Sequence, residues 1–245
     1  MNMIFEPLSR KFQFKFKDRL VAAEILGESL KDRIKNKEQQ KAAVVLGIPR
    51  AGIITADIVA KRLSASLFDI IIPRKLTHPY NKEQAIGAVM EDGSFYINHQ
   101  LINDFQISSE YLEKEKLQQI QEIKRRATLY HKEQRRDFNS FLKDKTVILV
   151  DDGAATGATI ITAARWIKRL ENKPKHLIVA VPVAPKCTVS LLKKECSVEV
   201  EVVVNPSLSV FHSVEQYHQS FEAITDEQVI RIMKDRNLLS TSATS

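Results

Sequence analysis

Three uninterrupted apolar runs set the architecture of this chain. AAVVLGI (residues 42–48), TVILV (146–150) and HLIVAVPV (176–183) are rich in β-branched residues and carry no alternating polar face. A strand of this kind must be covered on both sides, which is the habit of parallel sheets flanked by helices. LFDIII (67–72) and VEVEVVV (198–204) read as two further strands. IITADIVAKRL follows the first run, IITAARWIKRL (160–170) follows TVILV, and TVSLLKKE (188–195) follows HLIVAVPV; all three read as helices. Strands alternating with helices predict an α/β fold, a parallel β-sheet with helices on both faces. At 245 residues without a Pro/Gly/Ser-rich linker or a repeat, one domain is expected.

The flanks are less regular. FQFKF (12–16) alternates like a short edge strand. Asp18 is placed to cap a helix in which Ala22, Leu26, Leu30 and Ile34 share one face. A polar stretch, KNKEQQK, separates that helix from the first strand. Residues 108–137 contain no Gly or Pro and predict one long helix. Ser108 and Ser109 suit its cap, Glu110, Glu113 and Glu115 its first turns, and Leu112, Leu117, Ile120 and Ile123 a thin apolar stripe. Lys124, Arg125, Arg126, Arg135 and Arg136 gather near its end. Two readings are open there: a solvated face laced by charge pairs, or an element facing a phosphate or a partner. NLLSTSATS (237–245) is expected to be a disordered tail.

Composition excludes several classes. With 44% hydrophobic residues the chain can bury a core, so global disorder is excluded. Cys187 and Cys196 are too few for a disulfide framework and have no zinc-finger spacing. No apolar run approaches a membrane span of about 18 residues, and the N-terminus lacks a signal-peptide pattern. A soluble cytoplasmic protein is therefore expected. The charge of +7 and pI of about 9.3 fit either nucleic acid or small phosphate-rich substrates.

The chemistry is concentrated in VILVDDGAATGAT (147–159). Its order is strand, acidic pair, small-residue loop, helix. Asp151 and Asp152 fall at the carboxyl end of a buried strand, where ligands of open α/β sheets sit. Gly153, Ala154, Ala155, Gly157 and Ala158 let backbone N–H groups approach an anion, Thr156 and Thr159 add hydroxyls, and the following helix adds the positive end of its dipole. Carboxylates repel phosphate, so the acids must serve something else. Vicinal sugar hydroxyls are one answer and a bridging Mg²⁺ is another. No Walker A pattern and no G-x-S-x-G arrangement is present.

This segment resembles the phosphoribosyl-pyrophosphate (PRPP) motif of type I phosphoribosyltransferases. GIPRAGIITA (47–56) resembles the family's pyrophosphate loop, in which Arg50 and the amides of Ala51 and Gly52 would meet the pyrophosphate; a non-proline cis peptide is frequent there. IIPRKLTHPYNKEQAIGAV (71–89) lies where the family has a mobile basic loop, making Arg74 and Lys75 candidates to neutralise the leaving group. Glu83, Ala85, Ile86, Gly87 and Ala88 match an E-x-A-I-G-A stretch of one subgroup, which shares the long inserted helix and the FHSVEQYHQSFEAITDEQV segment. The resemblance implies one domain over residues 1–236, with an insertion at about 98–140 and a hood from the N-terminus and 205–236. It also implies a homodimer.

The implied reaction displaces pyrophosphate from C1 of PRPP by a nitrogenous acceptor, a nucleobase or amine, with Mg²⁺. Asp151 and Asp152 would orient the ribose or help hold the ion, and the loop through Thr159 would hold the 5′-phosphate. In relatives that use 6-oxopurines an Asp often precedes the Thr-Gly; Ala155 stands there, which counts against that mode. Phe211, Tyr217 and Phe221, with His212 and His218 beside them, form a candidate acceptor hood, or pack as core because Val214, Tyr217 and Phe221 have helical spacing. A PRPP-sensing regulator that binds nucleic acid or protein is the rival reading, carried by the basic cluster at 124–136.

Overall fold

The computed structural model describes residues 14–131 and 136–242, with side chains described as far as Arg236. In chain order the elements are α1 (Arg19–Arg33), α2 (Lys37–Ala42), β1 (Val44–Gly47), α3 (Ala51–Leu63), β2 (Leu67–Ile70), β3 (Arg74–His78), β4 (Asn81–Val89), β5 (Phe95–Ile97), α4 (His99–Asp104) and α5 (Ser109–His131). Beyond residue 135 come α6 (Phe138–Phe141), β6 (Thr146–Val150), α7 (Ala158–Arg169), β7 (His176–Val183), α8 (Lys186–Cys196), β8 (Glu199–Val204) and α9 (Asp226–Ser242).

The five apolar strands form one parallel sheet in the order β2-β1-β6-β7-β8. Every residue of β1 is buried, as a strand with no polar face requires. One side of the sheet is covered by α1, α3, α5 and α9, through Leu26, Leu30, Val59, Ile123 and Val229. The other side is covered by α7 and α8, through Ile160, Ile161, Ile167 and Leu192. The Asp18 carboxylate caps α1 by accepting from the Val21 N–H at 2.9 Å. The polar stretch at 35–41 is itself helical in α2, started by Asn36, which accepts from the amides of Glu38 and Gln39.

Several expectations change. Residues 71–89 are a β-hairpin rather than a loop: β3, β4 and β5 form a second, antiparallel sheet. The E-x-A-I-G-A stretch is its buried strand, and any side chain at Gly87 would run into the Tyr96 carbonyl across β4–β5. Residues 12–13 lie outside the described residues, and the remainder of the expected edge strand reduces to a single parallel bridge, Phe16 to His218. Leu117 is exposed, while Leu112, Ile120 and Ile123 pack on the core as expected and Ala127 and Tyr130 extend the stripe of α5. Residues 237–242 of the expected tail continue helix α9, which runs to Ser242, and residues 243–245 lie outside the described residues.

Candidate functional site

β6 delivers the acidic pair. Its last residue, Val150, pairs with Gly47 of β1 on one side and Ala180 of β7 on the other, so Asp151 emerges between two neighbouring strand ends. The loop that follows is anchored from below. The Ala154 N–H donates to the Val183 carbonyl at 2.9 Å, and Thr188 Oγ1 donates to the Ala155 carbonyl at 2.6 Å. Ala155 and Thr156 stay exposed at its crest, while Ala154, Gly157 and Ala158 are buried and Thr159 half-buried. Gly157 has φ of 75°, a left-handed conformation that glycine adopts without penalty, and it starts α7 with no side-chain cap of its own. The first-turn N–H groups of α7 thus begin at the loop, with Thr156 Oγ1 3.5 Å from the Ala158 N–H. A helix start of this form is suited to an anion.

The 47–52 turn lies against the acids. The Ile48 N–H donates to the Val150 carbonyl at 2.9 Å. The Pro49–Arg50 peptide is cis, leading directly into the residues expected to meet the pyrophosphate, Arg50, Ala51 and Gly52. Gly52 leaves no room for a side chain: an added Cβ would sit 2.7 Å from Asp151 Oδ1 and 2.8 Å from Asp151 Cα. Arg50 is half-exposed, with Nη1 3.9 Å from Asp226 Oδ1 at the start of α9. Asp226 also accepts from the Tyr130 hydroxyl at 2.6 Å.

Arg74 and Lys75 open β3 and reach the same region. The Lys75 ammonium is close enough to Asp151 to favour its charged form. Arg74 Nε donates to Gln119 Oε1 of α5 at 2.9 Å. Burial, then repulsion from Arg126 and Arg50 set against attraction by Glu122, lowers the Arg74 guanidinium from its usual value. Arg50 and Arg126 are thus both neighbours of Arg74. Glu122 binds both Arg125 and Arg126 at 2.7 Å, which holds its carboxyl down at about 2.

Asp151 and Asp152 are adjacent carboxylates in unequal settings. Burial, and then the Asp152 charge, push Asp151 well above the ordinary carboxylate range; the Asp152 N–H, donating to Asp151 Oδ1 at 2.9 Å, opposes this. Asp152 is held by Arg19, whose Nε is 3.2 Å from Oδ2. Arg19 is only 7% exposed; its Nη1 donates to the Glu222 carbonyl and its guanidinium lies 4.1 Å from the centre of the Phe221 ring. Sequence reasoning missed Arg19, and the signal that marks it, one position after a helix cap, is too common to single it out.

The hood closes over Gly153, where an added Cβ would meet the Val214 side chain at 2.5 Å. Phe211 and Tyr217 are stacked on each other and buried with Phe16, Ala22 and Val183, so they form the hood's own core and offer no face to an acceptor. The segment is not a helix; two 3₁₀ turns, Leu208–Val210 and Glu215–Tyr217, replace the helical spacing. Phe221 is half-buried beside Arg19 and is the hood aromatic that remains near the site. His218 is buried against Phe16 and Phe221, and burial lowers its pKa. His212 is exposed. Arg135 lies outside the described residues. Among the described residues no group of three or more His, Cys, Asp or Glu could hold a metal alone. No described helix is long and apolar enough to cross a membrane.

Residues 80–219 match the phosphoribosyl transferase domain family. Two Mycobacterium tuberculosis proteins provisionally named as phosphoribosyl transferases, MT0597 and Rv0571c, are each 32% identical over 193 residues, which is 79% of this chain and 42% of theirs. The chain thus spans less than half the length of these curated relatives. The crystal structure of TT1426 from Thermus thermophilus is 33% identical, with a TM-score of 0.69, covering 91% of this chain and 99% of that one. The chain belongs to the phosphoribosyl transferase domain family, and its parallel sheet with flanking helices is the type I fold.

Proposed function

We propose that the chain transfers ribose 5-phosphate from PRPP to a nitrogenous acceptor and releases pyrophosphate. The observation that carries this reading is the meeting of three separate stretches at one strand end. Gly52 abuts Asp151, Lys75 acts on Asp151 from the hairpin, and the small-residue loop continues from Asp152 into α7. In this reading Gly153, Ala154, Ala155, Thr156, Gly157, Ala158 and Thr159 cradle the 5′-phosphate. Asp151 and Asp152 accept from the ribose hydroxyls. Arg50, Arg74 and Lys75, with the amides of Ala51 and Gly52, face the pyrophosphate.

The acceptor's nitrogen lone pair forms the new bond to C1 as the bond to pyrophosphate oxygen breaks. That electron pair leaves with the pyrophosphate, and the acceptor's proton passes to solvent. The protein's work is positioning and charge stabilisation of an oxocarbenium-like transition state. A Mg²⁺ ion fits the donor set: two adjacent half-buried carboxylates that repel each other would favour a hard cation that takes its remaining ligands from substrate oxygens and water. When bound, it would neutralise charge on the leaving group.

The test is pyrophosphate release from Mg·PRPP across a panel of nucleobases and amines, alongside calorimetric binding of Mg·PRPP. Absence of binding at millimolar PRPP would sink the proposal. Within the basic cluster that carries the rival regulatory reading, Arg125 and Arg126 are paired with Glu122 and Arg136 with Asp69, which favours the transferase reading.

A further inference from the structure

Residues 16–19 and the hood strap at 217–222 are sewn together by main-chain bonds. The Phe16 N–H donates to the Tyr217 carbonyl at 2.8 Å, the Gln219 N–H to the Phe16 carbonyl at 2.9 Å, and the Ser220 N–H to the Lys17 carbonyl at 3.1 Å. Phe16 is buried with Tyr217, and its ring centre stands 5.5 Å from that of His218. Arg19, the first residue of α1, continues the seam: Nη1 donates to the Glu222 carbonyl at 2.9 Å, and the guanidinium lies over the Phe221 ring. The same guanidinium turns Nε to Asp152 Oδ2 at 3.2 Å. One side chain thus belongs to the strap and to the acidic pair at once.

Stability does not explain that placement. The Arg19 side chain is 8% exposed and that of Asp152 18%. Taking two charges out of water costs about what their attraction returns, so a pair this dry adds little over an apolar pair of the same size. What the pair does fix is direction. A guanidinium is a rigid planar fork, and a carboxylate tied to it at Oδ2 no longer swings freely, so Oδ1 keeps a set heading. Asp152 needs that restraint, because the neighbouring Asp151 carboxylate repels it and would turn it aside. Lysine is a poor substitute: an ammonium on a flexible stem does not hold two acceptors in one plane.

We propose that Arg19 is a positioning residue that couples the hood strap to the ribose: it aims Asp152 at the sugar hydroxyls, and a sugar held there steadies the strap in return. The inference rests on the reading of Asp152 as a ribose-binding acid. A hydroxyl donating to Asp152 fixes the carboxylate, the carboxylate fixes Nε, and Nη1 of the same plane fixes the Glu222 carbonyl. Such coupling is reciprocal, so ordering either end favours the other. No bond is made or broken in it, and its test needs neither turnover nor a known acceptor.

Calorimetry with Mg·PRPP reads the first half. Arg19→Lys keeps the charge and loses the fork, and should weaken Mg·PRPP about tenfold, the scale of one charge-assisted hydrogen bond. In an Asp152→Asn background the same change should cost less than about twofold, because the carboxylate through which Arg19 acts is gone. An arginine with a merely structural role would give the same factor in both backgrounds. Amide exchange reads the second half. Saturating Mg·PRPP should slow exchange several-fold at Gln219 and Ser220, the strap amides that donate to residues 16 and 17, and should do so in the unmodified protein but not in Arg19→Lys. Equal factors in the two backgrounds would overturn the proposal. So would exchange at Gln219 and Ser220 that Mg·PRPP leaves unmoved in the unmodified protein, a result that decides the matter even if Arg19→Lys does not fold. If the unmodified protein does not bind Mg·PRPP, the transferase reading falls and this inference with it; if it binds and either result above is found, the inference falls alone.

Discussion

Gly52→Ala tests whether contact between the two turns shapes the site. The added carbon would lie 2.7 Å from Asp151 Oδ1, 2.8 Å from Asp151 Cα and 3.2 Å from the Val150 carbonyl oxygen. Carbon atoms in ordinary contact sit about 3.5 Å apart, so the 49–52 turn must retreat about 0.7 Å. Two of the three obstacles are backbone and cannot rotate aside. The retreat also drags α3, which begins at Ala51 and is buried through Ile53, Val59 and Ala60. Overpacking of this kind costs about 1–3 kcal/mol. For a chain of this length that lowers Tm by about 2–12 °C, at 2–4 °C per kcal/mol. A displacement approaching 1 Å near reacting atoms costs about 100-fold, so pyrophosphate release should fall about 10- to 100-fold. Gly93→Ala is the control. Its φ is 85° but nothing lies within 4 Å of an added Cβ, so it should destabilise by about 1 kcal/mol and leave PRPP binding unchanged. Thermal unfolding and Mg·PRPP calorimetry on both variants decide the matter. A Gly52→Ala protein with unaltered Tm and unaltered PRPP affinity would refute the reasoning.

Other substitutions probe single contacts. Asp151 has its pKa raised by burial and by Asp152, so its contribution to stability is full below about pH 3.9, its unfolded value, and is lost as pH rises through the folded value. Asp151→Asn should therefore be more stable than the parent at pH 7, by on the order of 1 kcal/mol, with the gap closing near pH 3.5, while transferase activity is lost; urea titrations at the two pH values read this out. Gln119→Leu removes the acceptor from Arg74 Nε and should raise KM for PRPP several-fold with little change in Tm, because Arg74 is half-buried and water can replace the amide. His218 is shifted down by burial, opposed by the Val214 carbonyl and reinforced by Arg19. Its neutral form stabilises the fold fully above about pH 6.5, and this is lost as pH falls through its lowered value. In His218→Gln the stability should vary less between pH 7 and pH 5; an identical slope in denaturant melts would contradict that.

The sheet was legible because its signal is local. A run such as HLIVAVPV has one comfortable environment, and β7 occupies all eight of those positions. The phosphate-type loop was legible for the same reason, since strand, acids, glycines and helix start are contiguous from Val147 to Thr159. The hairpin was misread because Pro73 and the cluster of polar residues up to Gln84 mask its alternation; the apolar side shows only once Leu76, Ile86 and Val89 are seen buried together. Arg19 was invisible because its partner lies 133 residues away. The hood aromatics were recognised as belonging together, but Phe211 and Tyr217 spend their faces on each other and on Phe16, a contact that needs the N-terminal segment in place.

The inserted helix changes how the cationic arm behaves. The Tyr111 hydroxyl donates to the Thr77 carbonyl at 2.8 Å, Glu115 accepts from the Thr77 hydroxyl at 3.0 Å, and Gln119 takes Arg74. Three successive turns of one rigid rod therefore grip β3 along its length. An arm fastened in this way does its ordering once, when the chain folds, and not again each time an anion arrives. Association should then show a small heat-capacity change and a rate set by diffusion and charge attraction, falling as salt is added, in place of a slow closing step.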